Sequence, residues 1–229
     1  MPTAILIDGG FFLRGFPACY PKKNKVDAKV VAKTAFELAL SHLEERSLHR
    51  RVHHELYRIF FYDCPPLLKK AHLPKTRSAI DFSKTPQSSF RLALHEELKK
   101  QRKVALRLGH LLDRTEWRLR EGRLKQLLDG SLEFKDLVDD DFEYATLQKG
   151  VDMRIGLDIA SLSIRGQVDQ IVLVAGDSDF VPAAKLARRE GIDFILDLLW
   201  SNVHSSLYEH VDGVRSTCPN PLSLKKLVP

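Results

Sequence analysis

Cysteine is scarce in this sequence. The 229 residues include only Cys19, Cys64 and Cys218, which are widely spaced and form no Cys-x-x-Cys pair. A zinc ribbon needs paired cysteines and a disulfide framework usually needs an even number of them, so neither class of protein is expected. Few cysteines suit a reducing compartment, and we expect the protein to be cytoplasmic.

Long apolar runs and several common catalytic motifs are also missing. No run of about 18 apolar residues occurs, so no membrane-spanning segment and no membrane partner is expected. The opening residues MPTAILIDGG lack the basic start and long apolar stretch of a signal peptide and indicate a first strand instead. The chain has no Gly-x-Gly-x-x-Gly, Walker loop, Gly-x-Ser-x-Gly or His-Glu-x-x-His, which disfavours nucleotide-cofactor enzymes, serine hydrolases and zinc peptidases.

The charge balance is mildly basic. Lys and Arg number 36 against 30 Asp and Glu, which gives a formal net charge of +6. This excess permits a polyanionic partner, but an ordinary basic protein has the same balance. The hydrophobic share of 44% is enough for a globular domain with a packed core.

Apolar runs and helical spacing alternate along much of the chain. The runs indicate strands at residues 4–7, 56–62, 170–175 and 192–198, and the helical spacing indicates helices at 26–43, 152–164 and 180–190. This alternation predicts an α/β protein with a parallel sheet flanked by helices on both faces.

Residues 64–148 have a different character. Prolines punctuate the first part of this segment, and residues 99–125 hold ten Lys or Arg against three Asp or Glu. A helix is predicted at 88–103, and we expect the whole segment to be a basic, largely helical insertion. The prediction is therefore a single domain over residues 1–229, with this insertion and a proline-rich C-terminal extension at 199–229.

Aspartates follow two of the predicted strands. In the segment VLVAGDSDF, residues 172–180, an apolar run ends at Asp177 and Asp179, and Asp8 follows the first strand before two glycines. Asp152 begins the helix before the third strand. Because ligands of open parallel sheets bind beyond the carboxyl ends of the strands, we expect these four carboxylates to meet at one edge. Each also has a local alternative, as a turn residue, a helix cap or a favourable first-turn charge.

Crowded carboxylates raise one another's pKa unless a cation offsets their charge. Oxygen ligands alone suit a hard divalent ion, so Mg²⁺ or Mn²⁺ is the expected cofactor. Such an ion can activate water and stabilise negative charge on a phosphodiester.

The motifs AILIDGG, KGVDMRIGLDIA and VDQIVLVAGDSDFVPAAKLARREGIDFIL together resemble the NYN domain family of PIN-like metal-dependent ribonucleases, in particular its LabA-like branch. The resemblance covers the N-terminal strand, the YRIFFYD strand and most of residues 149–198, and it leaves out 64–148. It implies a Rossmann-like PIN fold and an acidic centre that maps onto Asp8, Asp152, Asp177 and Asp179. Many members have an Asn shortly after the first Asp, where this chain has Gly9, Gly10, Phe11 and Phe12.

The resemblance implies a Mg²⁺- or Mn²⁺-dependent ribonuclease that hydrolyses RNA, single-stranded or structured. The missing Asn and the large insertion motivate a second hypothesis, a catalytically weak RNA-binding or adaptor module. A third is a metal-dependent phosphohydrolase of small phosphorylated molecules. The sequence does not decide the oligomeric state, for which a homodimer is one option.

Further residues are secondary candidates. Asp63 ends the second strand and either reaches the edge or occupies a turn, and Ser178 either binds a ligand or only shapes its turn. Asp158 lies about 240° around the helix from Asp152 and is not expected to share a metal with it. It falls on the apolar stripe of the helix, so either it is a buried, hydrogen-bonded acid that supports the site or the stripe is not fully buried. Lys149 either touches phosphate or is simply exposed.

The basic segment is the candidate nucleic-acid contact, because phosphate contacts from Lys and Arg give affinity without sequence preference. Trp117 within it either stacks on an unpaired base or belongs to the core. The candidate contacts are Arg102, Lys103, Arg107, Arg114, Arg118, Arg120 and Arg123.

Overall fold

The computed structural model describes residues 2–47, 50–201 and 205–225. The strands are β1 (Pro2–Asp8), β2 (Glu44–Ser47), β3 (Arg50–His53), β4 (Glu55–Asp63), β5 (Lys70–His72), β6 (Ala79–Asp81), β7 (Val104–Leu108), β8 (His110–Leu119), β9 (Phe142–Lys149), β10 (Gln170–Val174), β11 (Asp193–Asp197) and β12 (Gly213–Val214). The helices are α1 (Gly9–Cys19), α2 (Ala28–Ser41), α3 (Pro86–Lys99), α4 (Glu121–Leu128), α5 (Val151–Ile164), α6 (Val181–Arg189), α7 (Ser205–Tyr208) and α8 (Pro221–Lys225). None of the helices in these ranges has the length and apolar character that crossing a membrane requires.

A six-stranded parallel sheet forms the centre of the molecule, in the order β12–β11–β10–β1–β4–β7. In β1, residues 4–7 are fully buried, which explains why this strand is a continuous apolar run rather than an alternating one. Side chains alternate between the two faces. Leu6 packs with Ile155 of α5 on one face, whereas Ile5 packs with Phe12 of α1 and Leu94 of α3 on the other. The predicted α/β architecture is confirmed.

The direction of strand addition reverses at β1. The chain adds β4 and then β7 on one side of β1, and it later adds β10, β11 and β12 on the other. Such a reversal leaves a crevice at the carboxyl ends of the two strands that flank it, here β1 and β10. Asp8 ends β1, and Asp177 follows β10 by three residues, so the fold places both at this crevice.

The prediction of a largely helical insertion at 64–148 is wrong. Helix α3 packs against α2, and β7 forms the edge of the central sheet beside β4, so both belong to the core architecture. Most of the rest consists of two antiparallel hairpins, β5–β6 and β8–β9. The predicted helix at 88–103 also ends earlier, at Lys99. At residues 116–119 of β8, exposed charged side chains alternate with half-buried apolar ones, and the charge density of this segment obscured the strand pattern in the sequence.

The segment 199–229 is not only a surface extension. Its short strand β12 pairs with β11 and completes one edge of the sheet. Cys218 is buried, and its thiol lies 2.9 Å from the Sγ atom of Cys19 in α1. The single-domain division of the whole chain stays a prediction.

Candidate functional site

Asp8 is the last residue of strand β1, and helix α1 begins at the next residue. Its side chain caps α1, with Oδ1 accepting the backbone N–H of Phe11 at 3.2 Å. The two glycines after Asp8 therefore form the first turn of a helix. A Cβ atom at Gly9 would lie 2.6 Å from both the Tyr62 carbonyl oxygen and the Phe61 ring, so only glycine lets α1 start this close to β4.

Asp177 and Asp179 lie in the turn after β10. Asp177 caps a single 3₁₀ turn, Ser178–Phe180, by accepting the N–H of Asp179 at 3.0 Å, while Phe180 anchors the turn in the core. Both aspartates and Ser178 are exposed. The turn also packs closely on the start of α1, because a Cβ atom at Gly176 would meet the Phe11 ring at 2.6 Å.

Asp152 occupies the exposed first turn of α5. Burial raises the pKa of Asp152, and the charges of Asp177 and Asp179 raise it further. Burial is also the main cause that raises the pKa of Asp8, and the charge of Asp152 adds to it. Asp152 therefore lies within electrostatic range of Asp8 and also of Asp177 and Asp179. We call these four residues the acidic edge.

The acidic edge is a loose group rather than a closed cage. Within the described ranges, no three or more His, Cys, Asp or Glu side chains are gathered tightly enough to hold a metal ion. The donor set nevertheless fits Mg²⁺ or Mn²⁺ in chemistry, because it consists of carboxylate oxygens whose mutual repulsion a cation would relieve. Mg²⁺ in particular usually keeps several waters and uses only one or two carboxylates together with substrate phosphates.

Asp63 does not join the acidic edge. It is buried, forms an ion pair with Arg91 of α3, and lies 2.7 Å from Nε2 of His95. Burial alone would raise the pKa of Asp63, but the hydrogen bonds from His95 and Arg91 and the charge of Arg91 outweigh it and lower the pKa below its ordinary value. Arg91 and His95 escaped the sequence analysis, although their spacing of four residues on one helix was an available signal.

Asp158 and Lys149 also lie apart from this group of carboxylates. Asp158 accepts a hydrogen bond from the hydroxyl of Tyr62 at 2.9 Å and faces Nε of Arg107 at 3.3 Å. It thus ties α5 to β4 and β7, in keeping with the alternative of a hydrogen-bonded acid that supports the site. Lys149 is exposed at the end of β9.

The basic candidates are spread over several elements. Arg102 and Lys103 lie in the exposed connection between α3 and β7, where the ammonium group of Lys103 donates to the carbonyl of Leu56. Four others contact acidic side chains or carbonyls of the protein itself, and the side chain of Arg114 lies outside the described part of the structure. Those four contacts are Arg107 with Asp158 at 3.3 Å, Arg118 with Glu116 at 3.4 Å, Arg120 with the Asp140 carbonyl at 2.9 Å, and Arg123 with Asp141 at 2.6 Å.

Trp117 connects the two hairpins. Its indole N–H donates to the carbonyl of His72 in β5 at 2.9 Å, and its ring lies 6.1 Å from that of Phe82 and 5.2 Å from that of Tyr144. These rings help to line a cavity of about 530 Å³ between the hairpins, which we call the hairpin cavity. Sequence reasoning missed this cavity because its walls come from segments far apart in the chain.

The sheet order and the acidic edge define a Rossmann-like α/β protein with its polar site at the strand-order reversal. A family model described as the NYN domain matches residues 81–215, which is more than half of the chain. The chain therefore belongs to the NYN domain family, whose members are generally nuclease-like. The match includes Asp152, Asp177 and Asp179 and much of the segment that the sequence resemblance had left out.

Among solved structures, a protein of unknown function from Vibrio parahaemolyticus RIMD 2210633 is similar to this chain. The two share 16% sequence identity with a TM-score of 0.45, and the alignment covers 94% of this chain and 92% of that one. A comparison with curated proteins gives no match.

Proposed function

We propose that this NYN domain protein is a Mg²⁺- or Mn²⁺-dependent ribonuclease of the LabA-like branch that acts in the cytoplasm. The observation that supports the proposal is the acidic edge, where the charge of Asp152 acts on Asp8 and the charges of Asp177 and Asp179 act on Asp152, beside the carboxyl ends of β1 and β10. Arg14 offsets part of the charge of Asp8, and the carboxylates that remain suit a cation and, through it, a phosphodiester.

The residues of the acidic edge have distinct tasks in this proposal. Asp8, Asp152, Asp177 and Asp179 would hold the ion, partly through water, and the ion would supply an activated water and offset charge on the phosphate. Asp8 and Asp177 are oriented by the N–H groups that they cap, so their free oxygens have fixed directions. The exposure of Asp177 and Asp179 leaves room for a long polymer to approach.

RNA is the proposed substrate, and contacts of Lys or Arg with its backbone are part of the proposal. Such contacts would weaken with added salt, because each one releases counterions from the nucleic acid. Arg102 and Lys103 precede β7 and therefore lie at the amino ends of the strands, opposite the acidic edge. We propose single-stranded RNA as the preferred form.

The experiment that tests this function is the substitution Asp177→Asn. Asparagine caps a helix about as well as aspartate, so the turn after β10 should keep its shape while one negative charge is lost. We expect Mg²⁺-dependent RNA cleavage to fall by about two orders of magnitude or more, a typical effect of removing a group that acts on the reacting centre. The matched control is Asp129→Asn, in an exposed loop after α4, which should cleave like the unmodified chain.

Full cleavage by Asp177→Asn would overturn the assignment. Faster hydrolysis of nucleotides or sugar phosphates than of RNA would favour a small-molecule phosphohydrolase instead.

One observation favours a second candidate, an RNA-binding module with little or no hydrolysis. Among the residues that the structure describes, no three side chains of the acidic edge lie close enough together to hold a metal ion. Salt-sensitive RNA binding without cleavage in either Mg²⁺ or Mn²⁺, across several unpaired RNAs, would support this candidate over the nuclease.

A further inference from the structure

The hairpin cavity is large enough for a small molecule or a single nucleotide unit. Its volume of about 530 Å³ lies within the range of about 300–1,000 Å³ that ligand sites commonly have. Hairpin β5–β6 and the start of α3 form one wall, and hairpin β8–β9 forms the other. The rings of Phe82, Trp117 and Tyr144 all contribute to these walls, with neighbouring centroids 5.0–6.1 Å apart.

The cavity adjoins the acidic edge. On β9, the alternate residues that line the cavity are Tyr144, Thr146 and Gln148. Gln148 is four residues before Asp152, so the Cα atoms of these two residues are at most about 14 Å apart. Cys64 lines the cavity as well. Its thiol pKa is raised chiefly by burial, and the charge of Asp152 is among the further causes. A polymer lying across the acidic edge would therefore reach the cavity within a few nucleotides.

The chemistry of the walls suits a base rather than a phosphate. Asp139, Asp140 and Glu143 outnumber Arg91 and Arg120 among the charged residues of the lining, and a phosphate inside would face this excess of negative charge. A neutral base avoids that repulsion. Its exocyclic amino groups can donate to carboxylates and amide oxygens, and its face can stack on an aromatic ring.

Arg91 gives the cavity a fixed positive group on its inner side. Its guanidinium is held by the buried carboxylate of Asp63, and its side chain is only 19% exposed. An arginine held in this way keeps its remaining donors in one direction, which suits a carbonyl oxygen of a base.

We propose that the hairpin cavity binds one unpaired base of the RNA strand whose phosphate lies at the acidic edge. This inference rests on the proposed function for its substrate class. It assigns stacking to Tyr144 and Trp117 and hydrogen bonding to Gln148 and Thr146. A paired base cannot enter the cavity without leaving its duplex, so the site would also give the protein its preference for single strands.

The test measures base binding separately from cleavage. A short oligouridylate carrying one 2-aminopurine is titrated with the full chain in the presence of EDTA, so that no divalent ion supports hydrolysis. Stacking changes the 2-aminopurine fluorescence, and we expect saturable binding with such a change. The variant Thr146→Met narrows the cavity from β9, whereas Gln148→Met keeps nearly the same side-chain size and removes the amide groups that would bond the base. Each should bind about tenfold or more weakly.

The matched control is Leu147→Met, at a neighbouring position of β9 that does not line the hairpin cavity. It should bind like the unmodified chain, and thermal melting confirms that all three variants fold. Unchanged binding by both cavity variants, or equal weakening by the control, would overturn the base site. If the chain binds the base but cleaves no RNA, the nuclease proposal is refuted and the cavity assignment stands. If the chain cleaves RNA but both cavity variants bind the base as tightly as the unmodified chain, the cavity assignment is refuted and the nuclease proposal stands.

Discussion

Asp8 and Asp63 end the neighbouring strands β1 and β4, yet their surroundings shift their pKa values in opposite directions. Burial and the nearby Asp152 raise the pKa of Asp8. The pKa of Asp63, although burial also acts on it, is lowered by His95 and Arg91. A charge that is disfavoured in the folded state costs stability, and one that is favoured contributes to it. A raised pKa such as that of Asp8 is typical of a carboxylate in a functional site, and a lowered pKa such as that of Asp63 is typical of a structural ion pair.

The two aspartates should therefore respond oppositely to removal of their charge. At neutral pH and without divalent ions, we expect Asp8→Asn to increase the free energy of unfolding by about 0.5–2 kcal/mol. The cap is kept, while the cost of burying a charge and the repulsion from Asp152 are lost and outweigh the lost attraction to Arg14. Asp63→Asn should decrease it by about 3 kcal/mol or more, because the largely buried Arg91 loses its counter-ion. Urea unfolding of both variants measures these changes.

The pH dependence of the free energy of unfolding is the control for the Asp8→Asn and Asp63→Asn variants. The contribution of Asp63 is complete above its ordinary pKa and is lost as the pH falls through its lowered folded value. The cost of Asp8 is absent below its ordinary pKa and is fully present only above its raised folded value. The gain from Asp8→Asn should thus vanish in acid. A loss of stability in Asp8→Asn at neutral pH would contradict the site assigned to this residue.

At the scale of elements, the junction of β1, α1 and β4 fixes the position of the acidic edge. A methyl group at Gly9 would press on the Tyr62 carbonyl and the Phe61 ring, both 2.6 Å from the Cβ position, and the backbone oxygen cannot turn away as a flexible side chain could. The start of α1 would have to move, and Asp8 with it. In contrast, Gly156 in α5 has no atom within 4 Å of its Cβ position.

Gly9→Ala and Gly156→Ala should therefore change the free energy of unfolding in opposite directions. We expect Gly9→Ala to lower the free energy of unfolding by about 1–3 kcal/mol through overpacking and to reduce RNA cleavage as well. Gly156→Ala should raise stability by about 0.5–1 kcal/mol, because alanine is the better helix former. Thermal unfolding and a cleavage assay on both variants provide the comparison, and a harmless Gly9→Ala would show that the junction tolerates displacement.

At the scale of the whole molecule, the sequence was most informative where the structure is most buried. Strands β1 and β10 are enclosed on both faces, so their apolar runs and the aspartates that follow them were visible without coordinates. The hairpins β5–β6 and β8–β9 each expose a face, and their charged residues resembled a solvated helix. The spacing of Arg91 and His95 places both on one face of α3, but their pairing with Asp63 and the walls of the hairpin cavity depend on contacts between distant segments, which the sequence does not reveal.

The proposed cation links the charge of the acidic edge to the stability of the entire fold. An ion that binds only the folded chain stabilises it by about 2.7 kcal/mol when present at a hundred times its dissociation constant. We expect Mn²⁺ to raise the melting temperature of the unmodified chain and of Asp129→Asn, but not of the double variant Asp8→Asn with Asp177→Asn. Differential scanning fluorimetry without RNA measures this, so cleavage is not involved.

Protons should compete with the cation. Because the pKa values of Asp8 and Asp152 are raised, these carboxylates take up protons at a higher pH than ordinary aspartates, and each proton opposes binding of the ion. The Mn²⁺-induced rise in melting temperature should therefore shrink as the pH falls through these raised values, before Asp63 with its lowered pKa is affected. An equal rise in the double variant, or one that stays constant down to the ordinary aspartate pKa, would place the bound ion away from the acidic edge.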